Sequence, residues 1–214
     1  MENCIYFAGN SELSVTEPAL LLGWGFSETG LRRPGAPRFG CAGLVLDDRV
    51  LPGRGVLDAA EAALRAAGGV VVCDFERPAD PVLEALLSRL GDLELVVPPQ
   101  YAGLPHAAVL AGPYLPGLPF RRWLTAQQIK YGPVVLDGAP LRHLVRPGCP
   151  PIGWTEPLPD SGSFNPGSAC LTCRRPEGFL FWDDRETLRR RCEAAGVPVI
   201  LLQQEWEGLP GVEN

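Results

Sequence analysis

A compact parallel α/β barrel, a (β/α)8 TIM-type architecture with some irregular connections, is what this 214-residue chain predicts, and three observations lead there. The run Gly69-Val70-Val71-Val72-Cys73-Asp74-Phe75-Glu76-Arg77-Pro78 is an unbroken β-branched stretch closed by two acids and a proline. Valine repeated without polar alternation reads as a strand buried on both faces, the pattern of a parallel sheet lying between helices. Apolar strands then alternate with helices of about a dozen residues, which gives βαβ units. Finally, the strands number about eight, enough to close a barrel, although the chain is shorter than the ~250 residues usual for that fold. With 25 glycines and 23 prolines, several helices are expected to be replaced by bare loops, chiefly in the first 55 residues.

In chain order, Ile5–Ala8, Leu20–Phe26 and Gly43–Leu46 are the early strands. Asp58–Ala67 is a helix, rich in alanine and leucine and closed by Gly68-Gly69. The valine strand follows at once. Asp80-Pro81 supplies an N-cap with proline at the first helical position, opening a helix that runs through Leu90 to Gly91. Leu93–Val97 and Ala107–Ala111 are strands, Pro119–Lys130 a helix, and Pro133–Leu136 a further strand. From Arg146 to Ser168 the chain is dense in Pro, Gly and Ser and is expected to form a long irregular loop. Gly178–Trp182 reads as a strand, Asp184–Ala195 as a helix ended by Gly196, and Val197–Gln203 as the last strand. No repeat and no composition break divides the chain, so one domain spanning 1–214 is expected.

Composition narrows the function. A net charge of −6 and a pI near 5.0 argue against a nucleic-acid surface, which needs a basic face. No 18-residue apolar run suggests a membrane span, and the N-terminus lacks a basic region followed by an apolar core. Seven cysteines, with Cys73 and Cys192 inside expected core elements, read as reduced thiols of a cytoplasmic protein. Cys170-Leu171-Thr172-Cys173 has the spacing of half a zinc site or a redox pair. It lacks a second ligand pair beyond the isolated Cys149 and His143, and it precedes a turn rather than opening a helix. No metal and no cofactor are expected. Arg189-Arg190-Arg191 reads as a solvated helix face.

The chemistry concentrates on the valine strand. Residues two apart on a strand point the same way, so Asp74 and Glu76 share a face with Val72, their Cα atoms roughly 6.5–7 Å apart. Two carboxylates at the carboxyl end of a buried strand occupy the position where α/β barrels carry their chemistry. Side by side in a partly apolar mouth they cannot both ionise freely, so one pKa is expected to rise toward the range of a general acid. The plainer alternative is that Glu76 pairs with an arginine at the rim and Asp74 caps the next helix. Gln100 and Tyr101 after the next strand, Asp137 after the seventh, and Gln203, Gln204, Glu205 and Trp206 at the last complete the expected rim, although Gln100 and Asp137 read equally well as hydrogen-bonded turn residues.

These residues resemble the family-18 glycoside hydrolases, the chitinases and related N-acetylglucosaminidases. That family's signature strand reads DGxDxDxE followed by an aromatic and proline, and its second half stands here as Asp74-Phe75-Glu76-Arg77-Pro78. Leu93–Tyr101 is similar to the family's next strand and Val109–Leu115 to the strand that ends in its Met-x-Tyr-Asp motif. Phe181–Leu188, leading through Gly196 into the last strand, resembles its Tyr-Asp-Asp-x-x-Ser/Thr helix. The resemblance covers Asp58 to Trp206. It implies substrate-assisted, retaining hydrolysis of an N-acetylated oligosaccharide. Glu76 would protonate the glycosidic oxygen, Asp74 would hold the acetamido N–H and stabilise the oxazolinium charge, and Tyr114 would orient the acetamido group. The chain departs from the family at Gly69 and Val72, where two aspartates are usual, at Leu115 for aspartate, and at Gln203 for tryptophan. Trp206 or Trp24 would then supply the flat surface for the sugar. Hydrolysis of short N-acetylhexosamine glycans is one function so implied; a catalytically weakened barrel that binds sugar or protein through the same mouth is the other.

Overall fold

The computed structural model describes residues 5–9, 20–27, 30–32 and 42–210. Strand β1 (Ile5–Gly9) is followed by β2 (Leu20–Ser27), a short β3 (Gly30–Arg32) and β4 (Gly43–Asp47). Helix α1 (Leu57–Ala67), β5 (Val70–Asp74), α2 (Pro81–Arg89), β6 (Glu94–Val97), β7 (Ala107–Ala111), α3 (Phe120–Tyr131) and β8 (Val134–Asp137) then alternate as the sequence pattern requires. Five short strands intervene: β9 (Arg142–Val145), β10 (Ile152–Gly153), β11 (Ser163–Asn165), β12 (Cys170–Arg175) and β13 (Gly178–Trp182). Helix α4 (Arg185–Ala195), β14 (Val199–Leu202) and a last turn of helix, α5 (Gln203–Glu207), end the described chain.

Eight strands are parallel and pair in the order β1-β2-β4-β5-β6-β7-β8-β14, with β14 returning to β1, so the sheet curls into a (β/α)8-like barrel. Strand β3 hangs on the outside of β2 as an antiparallel ribbon.

Side-chain parity sorts the core into three parts. Tyr6, Ala8, Val70, Val72, Val96, Val135 and Ile200 fill the lumen. The alternate residues Val71, Cys73, Leu44, Leu46, Leu95 and Val97 face outward against Leu57, Ala60 and Leu64 of α1 and Leu83, Leu86 and Leu87 of α2. Leu136, Val199 and Leu201 do the same against Phe120 and Leu124 of α3 and Leu188 and Cys192 of α4. The helices begin where their capping residues dictate. Asp80 accepts hydrogen bonds from Val82 N and Leu83 N at the start of α2, and Asp184 forms a capping box with Thr187 at the start of α4. Gly196, left-handed at φ 65°, closes α4.

One stretch departs from expectation. Gly178–Trp182 is not a barrel strand: it pairs antiparallel with β12 and β9 in a separate five-stranded sheet, β10-β9-β13-β12-β11, inserted between β8 and α4. The near-continuous apolar run Phe-Leu-Phe-Trp imitates a parallel strand, but only one face is fully covered: Leu180 and Trp182 are buried, whereas Phe179 is 49 % exposed and Phe181 half-buried. Cys170 and Phe181 pack toward the α4 layer. Leu144, Leu180 and Trp182 are buried on the opposite face, where Gly162 lies so close to the Trp182 ring that a Cβ would sit 2.3 Å from it. The Pro/Gly-rich segment 146–168, expected to be an irregular loop or excursion, contributes the short strands β10 and β11.

Candidate functional site at the barrel mouth

Three strands of the barrel end in the same way, with an inward valine and an inward aspartate two residues apart: Val45-Leu46-Asp47, Val72-Cys73-Asp74 and Val135-Leu136-Asp137. Val72 and Val135 belong to the lumen core and Val45 packs against it, so strand parity carries Asp47, Asp74 and Asp137 to the same side at the C-terminal mouth. Asp47 and Asp74 are direct neighbours in register. Asp137 stands three strands from Asp74, beside Ile200 of β14. The wall beyond Asp47 carries no side chains where Gly23 and Gly25 alternate with the outward-packed Trp24 and Phe26. A Cβ at Gly23 would meet nothing within 4 Å, and one at Gly25 would touch the Asp47 carboxylate at 3.0 Å.

The electrostatics follow from this convergence. The Asp74 pKa is raised first by desolvation and then by the charges of Glu76, Asp47 and Asp48, with Arg49 opposing them. Asp137 is raised by burial and by Asp74, while the Ala139 N–H it accepts pulls the other way. Glu205, in α5, is raised by burial and by Asp137. Among the described residues no group of three or more His, Cys, Asp and Glu is arranged to hold a metal ion.

Glu76 lies two residues past the strand, exposed at the rim, and of all charges its own acts most strongly on Asp74. Its backbone is held from both flanking loops. Glu76 N–H and Arg77 N–H donate to Asp48 Oδ1 and Oδ2 at 3.2 and 3.0 Å. Gln100 Nε2 donates to the carbonyls of Phe75 and Arg77 at 2.9 and 3.0 Å. Gln100 therefore braces the loop, which is the hydrogen-bonded turn role that the sequence leaves open beside a place on the rim.

Four other residues expected at the site sit elsewhere. Tyr114 is buried in the outer layer against Phe120 and Trp123 of α3, with ring centroids 5.2 and 5.4 Å away. Its hydroxyl donates to Leu118 O and shares a 3.2 Å hydrogen bond with Ser168. The chain turns outward after β7, so the ring meets α3 instead of the mouth. Tyr101 is buried edge-on to Phe75 at 5.8 Å, and its hydroxyl accepts from Asp80 N–H. Trp206 packs against Phe7 at 6.0 Å in the α4 layer. Trp24, the other aromatic expected to floor a sugar, packs outward among the α1–α2 core. The side chain of Gln203 lies outside the described residues. Asp47 and Asp48 escaped sequence reasoning, although the repeated Val-x-Asp strand ending was legible as a signal for the first.

The cysteine pair resolves geometrically. Cys170 and Cys173 are three apart on β12, so they point to opposite faces of the sheet. Burial pushes the Cys170 thiol up to about 12, which leaves it protonated and unreactive at neutral pH. Arg191, expected on a solvated face, is buried and paired with the fully buried Asp183 at 2.7 Å; only Arg189 and Arg190 are exposed, both paired with Glu186. No helix among the described residues is long and apolar enough to cross a membrane. No family model, curated protein or solved structure matches the chain.

Proposed function

We propose that the barrel mouth hydrolyses short glycans containing N-acetylhexosamine, with retention and with the substrate's own acetamido group as nucleophile. The observation that carries this reading is the Asp74–Glu76 pair at the C-terminal end of the fourth barrel strand, β5, with Asp47 beside Asp74 in register. The strand count supports it further. The segments that resemble the family's fifth, sixth and last strands are the fifth (β6), sixth (β7) and eighth (β14) strands of this barrel.

In the proposed reaction Glu76 gives its proton to the glycosidic oxygen as the C1–O bond breaks and the bond pair passes to that oxygen. The acetamido oxygen bonds to C1, forming the oxazolinium ion. Asp74 accepts the acetamido N–H and balances the developing positive charge; Asp137 extends the same negative wall. Water then adds at C1 as the bond from C1 to the acetamido oxygen breaks and its electron pair returns to the acetamido group, and the water surrenders a proton to the Glu76 carboxylate, which restores both residues. Tyr114 has no part in this scheme, so the acetamido group is oriented by carboxylates alone.

A second reading, sugar binding without turnover, is favoured by one observation: Tyr114 is engaged by Leu118 and Ser168 and is missing from the mouth. Hydrolysis of an aryl N-acetyl-chitobioside separates the two. Glu76→Gln is expected to lower turnover ~10²–10⁴-fold while affinity for the chito-oligosaccharide stays within a few-fold, because the amide keeps the shape and loses the proton. Absence of wild-type turnover on several N-acetylated substrates, with binding that is insensitive to Glu76→Gln, would overturn the hydrolase in favour of the binding module.

A further inference from the structure

Glu76 stands beyond the end of its strand, where no ladder fixes the backbone, yet it is among the most firmly tethered points of the mouth. Asp48 is 3 % exposed and carries a carboxylate whose two oxygens accept from two successive amides, Glu76 N–H and Arg77 N–H. Gln100 closes the other side by donating one amide group to both Phe75 O and Arg77 O. The Arg77 side chain returns the tether, its Nη2 donating to Arg49 O at 2.8 Å. The two clamps come from the loops after β4 and β6, the strands flanking β5 on either side. They therefore fix the Glu76 backbone against both neighbours.

The choice of residue is informative. A buried carboxylate set close to Asp47, Asp74 and Glu76 adds repulsion to a mouth that is already acidic, and its charge contributes to raising Asp74. A neutral acceptor would tether one amide without that repulsion. Two successive N–H groups aimed at one point call for a bidentate acceptor, and a carboxylate is the side chain that supplies it.

We infer that Asp48 and Gln100 are positioning residues: they set where the Glu76 carboxyl is delivered over the mouth, and they act on chemistry only through it. This rests on the hydrolase reading above, so the test has one arm that needs no activity. The first arm is amide hydrogen exchange of Asp48→Asn, in which one of the two N–H groups faces an amide donor in place of an oxygen. Exchange at Glu76 and Arg77 is expected to accelerate at least tenfold while the β5 and β6 strand amides keep their wild-type rates. Unchanged exchange at both positions, or acceleration spread through the whole of β5, would overturn the tether.

The second arm is a double-mutant cycle on an activated aryl N-acetyl-chitobioside. Asp48→Asn is expected to lower kcat about 10²-fold with KM within threefold, as a displaced catalytic group does. Gln100→Ala should lower kcat about tenfold. In a Glu76→Gln background Asp48→Asn should cost less than twofold further. An equal loss in both backgrounds would make Asp48 a plain structural residue and overturn the positioning role. If the wild type turns nothing over, the hydrolase reading fails by itself and the exchange arm alone decides whether the tether exists.

Discussion

Asp74 shows how a single side chain is shaped by its neighbours. It ends a strand whose other residues are all buried, and it faces Asp47 in register with Glu76 and Asp48 close by. Its pKa is therefore raised by desolvation first and like charge second. A carboxyl raised in the folded state binds more protons there than in the unfolded chain at intermediate pH. Stability accordingly falls as pH climbs from the unfolded value of ~3.9 through the raised native one. Asp74→Asn removes that loss. Its melting temperature should exceed that of wild type at pH 7, and the gap should shrink toward pH 3.5, where both states of Asp74 are protonated. A variant less stable than wild type at pH 7 would show that the mouth is not self-repelling. Two positions at which the chain differs from the glycosidase signature it resembles also have local causes. Gly69 holds φ +73°, and a Cβ there would lie 2.2 Å from Ala42 O, so the backbone excludes the aspartate usual at that position. Val72 completes the apolar lumen layer beneath Asp74.

Among the elements, a buried ion pair ties the inserted sheet to the barrel's last helix. Asp183, fully buried, accepts from Arg191 Nη1 at 2.7 Å and from Leu141 N–H at 2.7 Å, and Arg191 Nη2 reaches Ala139 O at 3.3 Å. The end of β13, the start of the excursion after β8 and the middle of α4 thus meet at one point. Breaking such a pair leaves a buried charge without a partner, so Arg191→Ala is expected to cost about 3–5 kcal/mol in chemical denaturation. Arg190→Ala, one position away but exposed on Glu186, should cost less than about 1 kcal/mol. Similar losses at both positions would refute the contrast. The sequence did not reveal it, because helical periodicity turns three adjacent arginines in different directions without saying which one finds a buried acid. The helices and parallel strands were legible for the opposite reason. Asp80-Pro81, Asp184 and Gly196 act on backbone within a turn of themselves, and valine runs report two-sided burial whatever the topology. The Phe-Leu-Phe-Trp run of β13 reads in sequence as a buried parallel strand because composition alone does not show that its two phenylalanines lie on the less covered face of a small antiparallel sheet.

Taken as a whole, the molecule is a barrel whose lumen is apolar through its lower layers and acidic at one end. Its aromatic residues Trp24, Tyr101, Tyr114 and Trp206 lie in the outer layers. Strand parity predicted the inward direction of Asp74, and the Val-x-Asp endings encoded Asp47 and Asp137 as well. No one-strand argument places Tyr114, because its direction is set by where the chain turns toward α3. On the proposed hydrolase reading, a mouth of this kind would bind sugar through carboxylates and hydrogen bonds with little stacking, and the positive charge it would stabilise near Asp74 is that of the oxazolinium ion. A thiazoline derived from N-acetylglucosamine mimics it and cannot be opened as the oxazoline can. A crystal structure with that thiazoline is therefore the decisive measurement. The ring nitrogen should lie within 3.2 Å of an Asp74 carboxylate oxygen, with the Glu76 carboxyl over the anomeric carbon's leaving side. A thiazoline bound away from Asp74, or absent from the mouth at saturating concentration, would contradict the assignment of this barrel as an N-acetylhexosamine hydrolase.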